Sequence, residues 1–439
     1  MRFLPFIPAL ILFCANAPAE EVSSSRARKY AKTMQALIRA ESEEELNKFI
    51  VRMGVLDHPR SVTLIPPAAT LLPSKINYEK ALETIELLEN PEAVSALIKN
   101  YKKARSLEDK ILLLDSFGYR EDQPTGEEIL ASFENKLLRI QLTGLRAAGR
   151  RKLKGAVDPL IALVEAQTKE RDLLWLEGRK ALLEITGQDF ETGADWKKWW
   201  DAERESFDPN EALDEDGRTV VVKKTGAAVE FFGTEIFSRN LIFVIDVSGS
   251  MAMFDQGRST IKEAQKTRIR LDRARRQLLV AIESLPKTAR FNIIAYSNKV
   301  TAWQKGLRPA SKSAIKSAGK FVKEFLARGA TYTDDALKRA FEDSEADTVV
   351  LLSDGAPTKP EFPSGFLIEQ ILKDIANLNA ARKMRINTFG FEGVGGWPDK
   401  IPGQPSGPLP LPTLKDVDVF VGFMKQLAED NHGSFQSIK

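Results

Sequence analysis

Residues 240–251 read NLIFVIDVSGSM, and they restrict the fold more than any other stretch of this chain. Residues 241–245 form an unbroken apolar run that ends in Asp246, and Ser248 and Ser250 follow on a glycine-bearing turn. A short apolar run with β-branched members predicts a strand buried on both faces, as in the middle of a parallel sheet. Its carboxyl end carries one carboxylate and two hydroxyls, and ligands bind at that end in open α/β sheets. Asp-x-Ser-x-Ser is an oxygen set suited to a hard cation such as Mg²⁺. The motif is short, so its meaning depends on its surroundings.

Downstream, helices and strands alternate. An amphipathic helix is predicted over residues 267–285, with Leu271, Ala274, Leu278 and Ile282 on its buried face. Arg268, Arg270, Arg273, Arg275 and Arg276 crowd the other faces and read as a solvated surface. Strands are expected at 291–296, 348–352, 385–391 and 434–438, with a hairpin partner for the first at 300–303. Helices are expected at 311–326, 334–341, 365–382 and 417–428, and a loop rich in glycine and proline at 392–413. This alternation predicts an α/β domain with a doubly wound, mostly parallel sheet.

Upstream, residues 23–207 read as helix after helix, an all-α region. Leu82, Ile85, Leu87 and Leu88 form one apolar face, and Ala93, Val94, Leu97 and Ile98 form another. Residues 93–98 are echoed by 156–161, each followed by a second amphipathic helix. Recurring helix pairs resemble HEAT-type repeats of an α-solenoid, with an ordinary helical bundle as the alternative. Trp196, Trp199 and Trp200 fall at the start of one more helix and read as packing residues. Residues 208–218 are acidic and turn-rich, which predicts a linker over 208–232 with lead-in strands at 219–222 and 229–236.

A chain of 439 residues exceeds one ordinary core, so two or three domains are expected. Arg2 precedes an apolar run over residues 3–14, and Ala17-Pro18-Ala19 supplies a small-x-small cleavage site. Residues 1–19 are therefore expected to be a secretory signal peptide, which implies export to a periplasm or secretion. The single cysteine, Cys14, lies within it, so the mature chain would hold neither disulfides nor thiolate metal sites. No later stretch is apolar enough to predict a membrane span. A net charge of +3 gives no support for nucleic acid as a partner.

Three segments then converge: Asp246-Val-Ser248-Gly-Ser250, Gly329-Ala330-Thr331, and Leu351-Leu352-Ser353-Asp354-Gly355. With these in order, residues 233–439 resemble a von Willebrand factor A domain with an intact metal-ion-dependent adhesion site. The resemblance implies that Ser248, Ser250 and Thr331 offer hydroxyl oxygens to Mg²⁺ (Mn²⁺ or Ca²⁺ also fit), with Asp246 and Asp354 holding the ion partly through water. It also implies a partner: hydroxyls are neutral, so the ion stays incompletely neutralised and favours an exposed Glu or Asp of another protein. The loop over residues 252–266 directly follows Ser250 and is expected to shape partner choice.

Enzymatic readings fail on spacing. A serine nucleophile elbow needs glycine two residues before the serine, but Asp246 precedes Ser248 and Ser248 precedes Ser250 at that distance. His58 and His432, the only histidines, both stand in polar turns. A haloacid-dehalogenase-type aspartyl phosphotransferase needs a second Asp where Ser248 stands, and no phosphate-binding glycine loop opens a helix. The sequence thus predicts an exported, non-enzymatic binding protein. The alternative is a structural scaffold, in which the helical region makes the contacts and the metal only stiffens the sheet.

Overall fold

The computed structural model describes residues 22–209, 229–255, 269–361, 363–393 and 413–438. The expected signal peptide, the strand at 219–222, Arg268 and most of the loops at 252–266 and 392–413 lie outside the described residues. The chain divides into two compact units between Ile129 and Leu130.

The first unit is helical. Ser24–Arg39, Glu43–Val55, Lys75–Glu86, Pro91–Lys103 and Leu107–Phe117 are its longer helices. Side chains start several of them: Ser23 accepts from the Arg26 amide, Ser74 from Asn77, Asn90 from Glu92 and Ser106 from Asp109. Their inner faces bury Ile50, Ile85, Leu97 and Leu112. Leu87 does not join Leu82 and Ile85 inside. It caps its helix at the carboxyl end and is 65% exposed, because the turn that ends the helix rotates it outward.

The second unit begins with helices and ends with the sheet. The sequence predicts a division after Phe207, whereas helices Leu138–Arg150, Val157–Gln167, Leu173–Thr186 and Gly193–Glu203 share one compact unit with the strands. The reason lies in Leu173–Thr186, a helix buried nearly all round, Glu177 and Arg179 included. Trp175 stacks on Phe237 at 5.7 Å between ring centres, and the guanidiniums of Arg171 and Arg179 lie 4.7 and 4.8 Å from its ring. Arg139 donates to the carbonyls of Ala381 and Arg382 at 2.8 and 3.1 Å. The tryptophans serve packing, as expected: Trp196 and Trp200 are buried against Trp199 and Phe207 or Phe190.

The strands are β1 (Val229–Phe231), β2 (Thr234–Ile236), β3 (Asn240–Asp246), β4 (Arg290–Tyr296), β5 (Val300–Ala302), β6 (Arg308–Pro309), β7 (Thr348–Ser353), β8 (Arg385–Phe391) and β9 (Phe435–Ile438). β1 and β2 form a separate hairpin whose turn, Phe232 and Gly233, has positive φ at both residues. The main sheet runs β5-β4-β3-β7-β8-β9, with the short β6 also paired to β4. β3 is parallel to β4 on one side and to β7 on the other, while β5 and β6 are antiparallel additions.

Alternation along β3 explains its unbroken apolar run. Leu241, Phe243 and Ile245 enter one core with Leu271, Ala274 and Leu278 of helix Arg270–Ser284, and with Val322 of helix Lys312–Lys323. Ile242 and Val244 enter a second core with Leu337, Ile371 and Phe420 from helices Thr333–Phe341, Ser364–Asn379 and Leu414–Glu429. Helices thus cover both faces, and the doubly wound, mostly parallel sheet is the observed fold. From β3 the chain passes to β4 on one side and later to β7 on the other, which opens a crevice at the carboxyl ends of β3 and β7.

Candidate metal centre

Register brings the first and last motifs level. Ile245 pairs with Leu352, so Asp246 closes β3 beside Ser353 and Asp354 at the end of β7. Asp246 is fully buried; its Oδ1 accepts from the Ser248 amide at 2.7 Å and its Oδ2 from the Ser353 hydroxyl at 2.6 Å. The chain then turns through a short 3-10 helix, Gly249–Ala252, which sets Ser248 Oγ 3.1 Å from Ser250 Oγ. Ser250 donates to Asp354 Oδ1 at 2.7 Å.

The middle motif is tied to this turn through backbone. Gly249 N donates to Gly329 O at 2.9 Å, and Arg328 N to Val247 O at 2.9 Å. Gly329 has φ +79°, and a Cβ there would strike the Asn298 side chain, so glycine is required at this bend. Thr331 is buried, with its amide on Thr358 Oγ1 at 3.0 Å and its carbonyl accepting from the Thr358 amide at 2.9 Å. Asp246, Ser248, Ser250 and Asp354 thus form one hydrogen-bonded cluster. Thr331 is held beside it by its loop, and its hydroxyl is bonded to none of the other four. A cavity of about 640 Å³ opens next to this loop, lined by Val247, Lys299, Phe321, Phe325, Arg328 and Gly329.

The structure corrects the solvated reading of two arginines and adds one of them to the cluster. Arg270 and Arg273 stand on the helix face expected to meet water, yet both are buried. Arg273 pairs with Asp255 and lies 5.4 Å from the Phe391 ring. Arg270 donates to Asp354 Oδ2 at 2.8 Å, with side chains 1% and 0% exposed, and its other amino group donates to Gly393 O at 2.8 Å. Spacing carries the signal that reveals them: Arg270, Arg273 and Ala274 stand at i, i+3 and i+4, so they share the face that Leu271 and Ala274 bury.

The donor set suits a hard divalent ion. Octahedral Mg²⁺ with bonds of about 2.1 Å places neighbouring ligand oxygens about 3.0 Å apart, and the two serine oxygens stand at 3.1 Å. Burial first, and the charge of Asp354 second, push the Asp246 carboxyl up from its ordinary range, which is the electrostatic mark of a place that favours an added cation. Among the described residues no group of three or more His, Cys, Asp or Glu could hold a metal. A metal here would therefore rest largely on hydroxyls. His58 instead starts helix Pro59–Val62 by accepting from the Arg60 amide, and His432 is exposed in a turn with positive φ.

The family model of the von Willebrand factor type A domain matches residues 239–395. Inter-alpha-trypsin inhibitor heavy chain H1 of Mesocricetus auratus is 30% identical over 152 residues, 32% of this chain and 15% of that protein. Heavy chain H3 of Bos taurus is 27% identical over 212 residues, 47% of this chain and 20% of that protein. The chain therefore spans a fifth or less of the length of these relatives. A solved structure, von Willebrand factor type A from Catenulispora acidiphila, is 18% identical with a TM-score of 0.32, covering 47% of this chain and 40% of that one. No described helix is long and apolar enough to cross a membrane. Residues 239–395 are thus similar to the von Willebrand factor type A domain, and the mostly parallel sheet covered by helices on both faces is consistent with that similarity.

Proposed function

We propose that this chain is an exported, non-enzymatic binding protein whose C-terminal domain engages an acidic side chain of a protein partner through a divalent cation. The observation that carries this reading is the cluster at the ends of β3 and β7, where two buried carboxylates and two hydroxyls 3.1 Å apart are joined in one hydrogen-bonded group. Ser248, Ser250 and Thr331 would hold Mg²⁺, or Mn²⁺ or Ca²⁺, with Asp246 and Asp354 standing behind. The ion supplies an electrophilic centre for an incoming carboxylate. The protein's own residues orient the hydroxyls, keep both carboxylates out of bulk water, and offer the neighbouring cavity with Lys299 and Arg328 on its rim to the residues that flank the partner's acid. Similarity to chains named as heavy chains of a trypsin inhibitor is in keeping with a protein-binding role. Export is supported by the signal-like sequence at residues 1–19.

Titration calorimetry of the mature chain with Mg²⁺ and Mn²⁺, beside a Ser248→Ala, Ser250→Ala double variant, tests the reading. One-site saturable binding that the variant loses is the expected result. A folded chain that binds neither ion sinks the mechanism.

A further inference from the structure

Among the described residues, Arg270 is the only cation bonded to a carboxylate of the cluster, and nothing in the proposed binding step uses it. Its position is fixed on three sides. One amino group holds Asp354 Oδ2, the other holds Gly393 O, and its backbone amide donates to Met253 O at 3.1 Å. Asp354 has its second oxygen on Ser250, so both of its oxygens are engaged by side chains of the protein. The pair is shut off from water, where charges act at longer range and salt screens them weakly.

The local charge follows by addition. Two carboxylates and one guanidinium sum to one unit negative, and a divalent ion would make the site one unit positive. Without the guanidinium, the same ion would bring the site to zero. We propose that Arg270 is a resident counter-cation of this site, weakening the hold on the divalent ion and strengthening the hold of the loaded site on an anionic ligand. This rests on the metal-binding reading above and adds what selects the ligand's charge. A guanidinium that merely props up Asp354 would act differently: its loss would loosen the cluster and weaken both kinds of binding. The counter-cation role gives the two affinities opposite signs.

The test uses the mature full-length chain with Arg270→Gln and Arg270→Lys. Mn²⁺ affinity is read by calorimetry, and acetate serves as the anionic probe, followed by its displacement of Mn²⁺-bound water in proton relaxation. R270Q is expected to bind Mn²⁺ about tenfold more tightly and, once loaded, to bind acetate about tenfold more weakly, the size of effect one nearby unit charge exerts in a partly screened site. R270K keeps the charge, though not the second bond to Gly393 O, and because the role rests on charge it is expected to stay within about threefold of the parent in both. An R270Q that melts like the parent yet binds Mn²⁺ no more tightly overturns the inference, as does weakening of both affinities. If R270Q does not fold, R270K decides: parent-like affinities support the counter-cation, and loss of both overturns it. A parent chain that binds no Mn²⁺ at all removes the metal reading itself, an outcome separate from any behaviour of Arg270.

Discussion

Glu177 and Arg385 stand 208 residues apart and meet at 2.6 Å, each about nine-tenths buried or more. Arg146 completes the group at 3.0 Å from the other carboxylate oxygen. A helix that precedes the sheet by a long stretch of chain thus places its charge on the first residue of β8. Buried charges persist only when paired and hydrogen-bonded, so the three residues bind the last helices to the sheet through mutual need.

Removing the carboxylate leaves two buried guanidiniums unpaired. Glu177→Ala is expected to cost about 3–5 kcal/mol of unfolding free energy, read as a lower urea midpoint with an unchanged slope.

Acid should expose the same group. Burial alone would raise the Glu177 carboxyl, but Arg146 and Arg385, with Lys180 nearby, hold it well below its ordinary value of 4.5. A group with a depressed folded-state pKa contributes fully above the unfolded value and loses that contribution as pH falls towards the folded one. Stability of the parent should therefore drop faster than that of Glu177→Gln below about pH 4.5, by up to about 1.4 kcal/mol per pH unit. Parallel curves in urea titrations from pH 6 to pH 3 would contradict this.

The unit boundary at Ile129 and Leu130 makes a prediction about fragments. Residues 130–439 are expected to unfold in one cooperative transition. Residues 233–439 lack Glu177 and Trp175, leave Arg385 without its carboxylate and Phe237 without its stacking partner, and should be less stable by several kcal/mol or bind a hydrophobic dye. Equal melting of the two fragments would argue for a sheet domain that is complete alone.

Trp196 is wholly buried, and its Nε1 donates to Phe190 O at 3.0 Å. Trp196→Ala is expected to cost about 3–5 kcal/mol, visible as a lower melting temperature and a red-shifted emission from the remaining tryptophans.

Gly433 lies where β9 begins beside β8, and a Cβ on it would fall on the Ile386 carbonyl oxygen. Backbone has nowhere to retreat inside a sheet, so Gly433→Ala should destabilise by about 2 kcal/mol or more. Gly422 and Gly365 stand in helices where an added Cβ would meet nothing within 4 Å, and their change to Ala serves as the control, with no loss and up to about 1 kcal/mol of gain expected.

Much of the fold is legible in the sequence because it is local. The run from Leu241 to Ile245 fits a strand covered on both faces, and the alternation after it points to the doubly wound plan. Asp246, Ser248 and Ser250 are legible because a strand end and a tight turn hold them within five residues of chain. Asp354 is legible as the end of a second such strand, and β-sheet register does the rest by levelling Ile245 with Leu352. Thr331 is named by resemblance alone, and its loop is held by backbone bonds that no residue pattern announces.

Sequence by itself determined the elements, their order and the oxygen-rich strand ends, since periodicity and turn chemistry depend on neighbours along the chain. Tertiary structure decided which charges lie inside. Arg270 and Arg273 read as solvated because a helix face full of arginine is usually wet, and only the segments packed over them turn that face inward. It also decided that the helices from Leu130 onward belong with the sheet, because the pairing of Glu177 with Arg146 and Arg385 depends on distances in space that spacing in the chain does not encode.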